Sequence, residues 1–234
     1  PQLASAVQAI SMVQIPAPFL IGERLNTQGS RKFKRLIMAE DYDAVVEMAR
    51  EQVDSGAHGL DVCVALTERA DEADLMRAVV KKLANAVPVP LIIDSTEMDV
   101  IEVALKANPG RCIINSTHLE SGPEKAVKVF SLAKKFNAAV IVLTIDEEGM
   151  AKTVERKFAV AQRLYDLAVH EIGLRPQDLV YDALTFTLAT GDPSLQDSAN
   201  QTLAGIREIK EGLPGVLTSL GVSNVSFGLS RPAR

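Results

Sequence analysis

Seven short apolar runs recur along this 234-residue chain, and the stretches between them carry helical periodicity. The runs are FLIG (19–22), GLDVCV (59–64), PLIID (90–94), RCIIN (111–115), AAVIVLT (138–144), DLVYD (178–182) and GVLTSLGV (215–222). They are rich in β-branched residues and almost wholly apolar, as strands covered on both faces should be. Val45, Met48, Ala49 and Val53 write one helical face, stopped by Gly56; Leu75, Val79 and Leu83 write another, stopped by Pro88. Ala126, Val129, Phe130 and Ala133 mark a third helix, and Val160, Ala161, Leu164 and Ala168 a fourth, capped by Gly173. Strands alternating with such helices predict parallel βαβ units.

Two architectures fit that alternation. A doubly wound open sheet should show a Gly-rich phosphate turn after its first strand, whereas here the first run leads into Glu23-Arg24-Leu25-Asn26. Nearly every run also ends in a polar residue: Glu23, Asp61, Asp94, Asn115, Thr144, Asp182, then Ser223 and Asn224. Barrel enzymes gather their chemistry at the C-terminal strand ends. The expected fold is therefore α/β, a (β/α)8 TIM barrel over residues 19–234, truncated after the seventh strand and lacking its eighth strand and C-terminal helices. Residues 1–18 show little internal organisation and end in Ile15-Pro16-Ala17-Pro18. They read as a linker or N-terminal extension.

Composition narrows the function. Apolar residues make up 47% of the chain but aromatics only 4%, with no Trp, so the core must be built from Ala, Val, Ile and Leu. The 25 basic and 30 acidic residues leave a net charge of −5, which speaks against a nucleic-acid partner. No apolar run reaches the roughly 18 residues of a membrane span. Cys63 and Cys112 fall inside apparent strands and lack CxxC partners, which reads as buried free thiols in a reducing, cytoplasmic compartment. His58, His118 and His170 are scattered, so no metal-ligand spacing is present.

The strand ends themselves offer three carboxylates (Asp61, Asp94, Asp182), two amides (Asn115, Asn224) and the hydroxyls of Ser95, Ser116, Ser223 and Ser226. No Lys ends a strand, which leaves a Schiff-base mechanism without support, and a Ser-His-Asp triad has none either. Carboxylates and amides without a nucleophile can read a flat heterocycle. A carboxylate accepts paired N–H groups, and Asn both donates and accepts. The competing reading is helix capping, since Asp94-Ser-Thr and Asn115-Ser-Thr precede helical stretches and both residue types cap well.

The stretches IGERLNTQGSRKF (21–33), IIDST (92–96), INST (114–117), DEEGMAKTVERK (146–157), LVYDAL (179–184), LATG (188–191) and GVSNVSFGL (221–229) together resemble a known family. They are similar to the methyltetrahydrofolate-binding domain of cobalamin-dependent methionine synthase and to methyltetrahydrofolate:corrinoid methyltransferases. They are more distantly similar to dihydropteroate synthase. The resemblance implies that Asp94, Asn115 and Asp182 hold the pterin, with Asp61, Gly221 and Ser223 also lining its site. It further implies that Asn224 contacts N5 of 5-methyltetrahydrofolate. Glu23, Asn26 and Arg231 are further candidates. The family commonly has Asp-x-Asn at the end of strand two, where this chain has Asp61-Val62-Cys63, a departure that points to a locally altered pterin contact or a changed methyl donor.

The implied activity is transfer of the N5-methyl group to the Co(I) of a corrinoid. The cobalamin would come from another domain or protein, because no Asp-x-His-x-x-Gly motif occurs in this chain. Two alternatives stand beside it, a non-catalytic pterin-binding module and methyl transfer from another donor such as a quaternary amine. The reading also allows a homodimer.

Overall fold

A computed structural model describes residues 1–230 and Pro232. The chain opens with strands β1 (Gln2–Ala4) and β2 (Ala9–Ser11), continues through β3 (Ile21–Asn26), α1 (Arg31–Met38), α2 (Tyr42–Asp54), β4 (Gly59–Cys63), α3 (Glu72–Ala84), β5 (Leu91–Asp94) and α4 (Met98–Ala107), and reaches β6 (Ile113–Thr117). Then follow α5 (Pro123–Phe136), β7 (Ala139–Leu143), the short pair β8 (Ile145–Asp146) and β9 (Gly149–Met150), α6 (Val154–Tyr165), β10 (Leu179–Asp182), α7 (Ser198–Gly212) and β11 (Leu217–Ser219). The sheet order is β3, β4, β5, β6, β7, β10, β11, which is the order of the chain. Parallel strands taken in sequence, with helices between them, make the fold class α/β and the topology that of a (β/α)8 barrel through its seventh strand.

The chain forms two compact units, Pro1–Asn115 with Lys135–Ala139, and Ser116–Lys134 with Val140 onward. In the first, β3 to β6 pair in parallel, with Leu60 opposite Leu91 and Ile92 opposite Ile113. Every residue of β4 is buried, as expected for a strand covered on both faces. Helices α2, α3 and α4 bury Val45, Ala49, Val79, Leu83, Ile101 and Ala104. Helix α2 ends at Ser55 and Gly56 follows at φ +99°, so the expected glycine stop works through a left-handed backbone. In the second unit β10 pairs with β7, Val180 opposite Ile141, and with β11, Val180 opposite Leu217. Tyr181 is fully buried and its hydroxyl donates to the Ala161 carbonyl of α6 at 3.0 Å. Gly173 closes the helical segment Asp166–Ile172 in the left-handed region, at φ +81°.

Three expectations need correction. Residues 1–18 are not without organisation: β1 and β2 pair antiparallel, with Leu3 opposite Ile10. Leu3 is fully buried. The Ala4 amide donates to the Arg111 carbonyl at 2.9 Å, the Arg111 guanidinium donates to the Gln2 carbonyl, and Gln8 Nε2 donates to the Pro88 carbonyl at 2.9 Å. Alternation too brief to register as a strand is rescued by this pairing and by the buried Leu3. Secondly, the first barrel strand runs Ile21–Asn26, so Glu23 and Asn26 lie within it, and β6 extends to Thr117. Thirdly, the seventh strand ends at Ser219, and Ser223 and Asn224 sit on a 3₁₀ helix, Val222–Ser226.

The hairpin's seat requires a glycine. A Cβ on Gly110 would lie 2.0 Å from the Ala4 carbonyl oxygen, a backbone atom with no easy way to move aside. Gly110→Ala is expected to destabilise the protein by about 2 kcal/mol, in the range of core overpacking, and to speed hydrogen exchange of the Ala4 amide. Urea unfolding and amide exchange measure both; an unshifted midpoint together with unchanged Ala4 protection would refute the docking.

Candidate functional site

Sheet register assembles the first group of polar residues. Asn26 lies opposite Cys63, and Asp94 lies opposite Asn115. Val62 opposite Ile93 carries the pairing on, so that Cys63 comes beside Asp94. Register partners point to the same face of a sheet, and so do residues i and i+2. Asn26, Cys63, Asp94 and Asn115 therefore make one row across four strands, with Asp61 on the same face one step below Cys63. The side chains interlock: Asn26 Nδ2 donates to Asp94 Oδ2 at 3.2 Å and Asn115 Nδ2 donates to Asp61 Oδ1 at 3.0 Å.

A bulge helps to shape the row's edge. The β3–β4 register shifts between Gly22 and Leu25, which re-aims the residues inside it, Glu23 and Arg24. The Arg24 amide freed by the bulge donates to Oε1 of buried Gln52 at 2.9 Å. Gly22 makes room, since a Cβ there would sit 2.7 Å from that same Oε1. Glu23 itself is exposed, yet its charge reaches both Asp61 and Asp94 and pushes their proton affinities up.

The group holds carboxylates that resist ionisation. Asp61 is 4% exposed. Burial, then the charge of Asp94, pushes its pKa up to about 7, against the hydrogen bond from Asn115. Asp94 is half-buried. Burial raises it to about 6, while hydrogen bonds from Cys63 and Asn26 hold it down and the charges of Glu23 and Glu72 push it up. Burial and the neighbouring Asp94 push the Cys63 thiol up to about 12, so it is a neutral S–H donor to Asp94 rather than a nucleophile. The arrangement presents a partly open carboxylate acceptor flanked by two amides, suited to a flat ring edge carrying N–H donors and carbonyl acceptors. Helix capping does not explain these residues. The N-cap position of α4 is Glu97 and α5 starts at Pro123.

Asp182, Gly221, Ser223 and Asn224 belong to the second unit. Asp182 ends β10 opposite Leu143 and Ser219, and its Oδ1 accepts from the Leu184 amide at 2.7 Å. Asn224 and Ser223 are exposed on their 3₁₀ turn. A Cβ on Gly221 would lie 2.9 Å from Asn224 Nδ2, so the bare glycine leaves the amide its place. Arg231 lies outside the described residues. Ser95, one of the strand-end hydroxyls, donates to Glu72 Oε1 at 2.8 Å and accepts from the Glu97 amide at 3.1 Å. Sequence reasoning missed Lys157, buried inside the DEEGMAKTVERK motif. Among the described residues no group of three or more His, Cys, Asp or Glu is placed to hold a metal ion, and no helix is long and apolar enough to cross a membrane.

A sequential parallel α/β sheet with helices between its strands is the architecture of a barrel-type α/β protein. The chain belongs to the family described as pterin binding enzyme, which matches residues 22–233. It is 42% identical to methionine synthase of Mycobacterium leprae and 40% identical to methionine synthase of Mycobacterium tuberculosis, each over the whole of this chain. It spans 20% of each of those relatives. Among solved structures, dihydropteroate synthase from Xanthomonas albilineans in complex with 7,8-dihydropteroate superposes with a TM-score of 0.64 at 16% identity, over 95% of this chain and 78% of that one. Dihydropteroate synthase from Thermus thermophilus gives 0.61 at 20% identity, over 95% and 78%. Those likenesses are likenesses of fold.

The raised Asp61 has a consequence for stability. Between about pH 4 and about pH 7 the folded protein keeps a proton on Asp61 that the unfolded chain has released. Stability therefore falls as pH rises through that window and is level above it. Asp61→Asn removes that titration and should leave the protein more stable than wild type at pH 8, by on the order of 4 kcal/mol, with little difference at pH 4. Urea unfolding at both pH values tests this; equal stability of the two proteins at pH 8 would contradict it.

Proposed function

We propose that the chain binds 5-methyltetrahydrofolate and directs its N5-methyl group to the Co(I) of a corrinoid, as part of cobalamin-dependent methionine synthesis. The observation that carries this reading is the interlocked row of Asn26, Cys63, Asp94 and Asn115 with Asp61 beneath it, in a chain of the pterin binding family. On this reading residues 19–234 are the pterin-binding domain, with 1–18 an extension docked on it. The corrinoid is the second substrate, brought by another domain or protein, in a cytoplasmic setting.

The roles follow from what each group can donate or accept. Asp94 and Asp182, ionised, accept from pterin N–H groups, and Asn115 bonds another polar atom of the ring. Fixed groups on rigid strand ends supply orientation. The difficult part is the leaving group. When the methyl carbon departs, the N5–C pair returns to nitrogen, and an amine anion is a poor place for it. A proton on N5, or a hydrogen bond to it, must compensate in the transition state. Asn224 suits this, with an oxygen that accepts from N5–H⁺ and an NH₂ that donates to bare N5 after rotation. Gly221 and Ser223 line the same turn. Since Asp94 must be ionised to accept, folate binding is expected to weaken as pH falls through about 6.

The test follows methyl transfer from 5-methyltetrahydrofolate to cob(I)alamin by absorbance in the full-length protein. Asn224→Ala should slow transfer by roughly 10²-fold, as loss of one transition-state donor does, with little change in folate affinity. Asp94→Asn should weaken folate binding instead. Folate binding without any transfer by the wild type would overturn the catalytic reading and leave a pterin-binding module.

A further inference from the structure

The proposed chemistry does not use Lys157, and its surroundings are costly. It lies on α6 and is 1% exposed. Its ammonium has three N–H donors, and all three are spent on backbone carbonyls: Ala151 at 2.8 Å, Ala183 at 2.5 Å and Leu184 at 3.2 Å. Burying a charge away from water costs several kcal/mol unless it is compensated, so a long apolar side chain would fill this space more cheaply. The two carbonyls of the Ala183–Leu184 turn follow directly on Asp182. Leu184 holds a left-handed backbone, φ +56°, a conformation its side chain disfavours, and its amide donates to Asp182 Oδ1 at 2.7 Å. The turn is held from further sides: Thr144 Oγ1 donates to the Ala183 carbonyl at 3.1 Å and Thr202 Oγ1 to the Leu184 carbonyl at 2.8 Å. Gly205 of α7 lets the lysine stem pass, for a Cβ there would sit 2.7 Å from Lys157 Cδ.

We infer that Lys157 is a positioning residue for Asp182: its buried ammonium fixes the strained turn that orients the carboxylate and supplies the positive charge that favours its ionised form. The inference rests on the pterin reading only in assigning Asp182 to the ligand. The charge has to be present for the role to be filled. Burial lowers the lysine to about 8, opposed by the negative charge of Asp182. From the elements packed against it, α7 presents Gly205 and Thr202, the residue after β7 presents Thr144, and β10 presents Asp182, the one titratable group among them. The lysine's hold should therefore slacken as pH rises through about 8.

Lys157→Met keeps the length and removes the charge and the donors. In the full-length protein without ligand, hydrogen exchange of the Leu184 amide should be roughly tenfold faster in Lys157→Met than in wild type at pH 7, the effect of losing bonds to a charged donor. Equal exchange overturns the inference. Affinity for 5-methyltetrahydrofolate, titrated by fluorescence from pH 6.5 to about 9.5, should be roughly tenfold weaker in the variant at the low end and should converge with wild type at the high end. A ratio constant across pH marks a role in packing alone and also overturns it. Asp182→Asn separates the two levels of argument: unchanged folate binding in that variant defeats the pterin reading of Asp182, whereas the ligand-free exchange result still decides the lysine's hold on the turn. Should Lys157→Met fail to fold, Gly205→Ala displaces the same side chain at a position where Ala favours the helix. Unaltered Leu184 exchange and folate affinity there count against the inference.

Discussion

Parallel register is the constraint on which the first unit's polar group depends. Side chains alternate faces along a strand and match faces across a pair. Once Ile92 lies opposite Ile113 and Val62 opposite Ile93, the placement of Asp94, Asn115 and Cys63 on one face is settled, and Asp61 must follow two residues back. A slip of one residue would turn Asp61, Asp94 and Asn115 to the other face and bring Val62, Ile93 and Ile114 into their place. The apolar residues of β4, β5 and β6 thus do more than fill the core. Their packing against α2, α3 and α4 is what prevents the slip, and the hydrogen bonds from Asn26 to Asp94 and from Asn115 to Asp61 are a result of correct pairing.

The same geometry exacts a cost. Two carboxylates share a region that burial makes inhospitable to charge, and both resist ionisation. Nothing about folding asks for this. A pair of leucines at those places would stabilise the sheet more, which is the usual mark of a site kept for its chemistry. The second unit shows a comparable extravagance at the end of β10, where a buried cation, two threonine hydroxyls and a left-handed leucine surround one carboxylate turn.

Much of the fold could be read from the chain because its strands are short, almost wholly apolar runs and four of its helices carry clear apolar faces. Asp94, Asp182 and the amide Asn115 could be read too, since each closes such a run, whereas Asp61 stands out as the acid inside its run and lies within β4, two residues before Cys63. What escaped did so for physical reasons. The hairpin Gln2–Ser11 has three residues in each strand, too few for periodicity, and it is held by contacts to Pro88 and Arg111 that are far away in sequence. Helices α1 and α7 carry weaker signals, because α1 is short and crowded with Arg and Lys and α7 has a mixed apolar face. Asn224 was placed at a strand end, yet the strand stops at Ser219 and a 3₁₀ turn carries the amide. Lys157 was hidden because a lysine in a charged motif looks like a solvated surface residue; only the three carbonyls around it show otherwise.

The bond from the Ala4 amide to the Arg111 carbonyl joins positions more than a hundred residues apart. Closing so long a loop is entropically slow, and it brings no return until the far partner exists. Residues 2–11 are made before Arg111 and thus acquire their seat only once Arg111 has been added to the chain. Leu3, fully buried at the end, is exposed throughout that interval. For this hairpin the order of synthesis and the order of docking run opposite to one another.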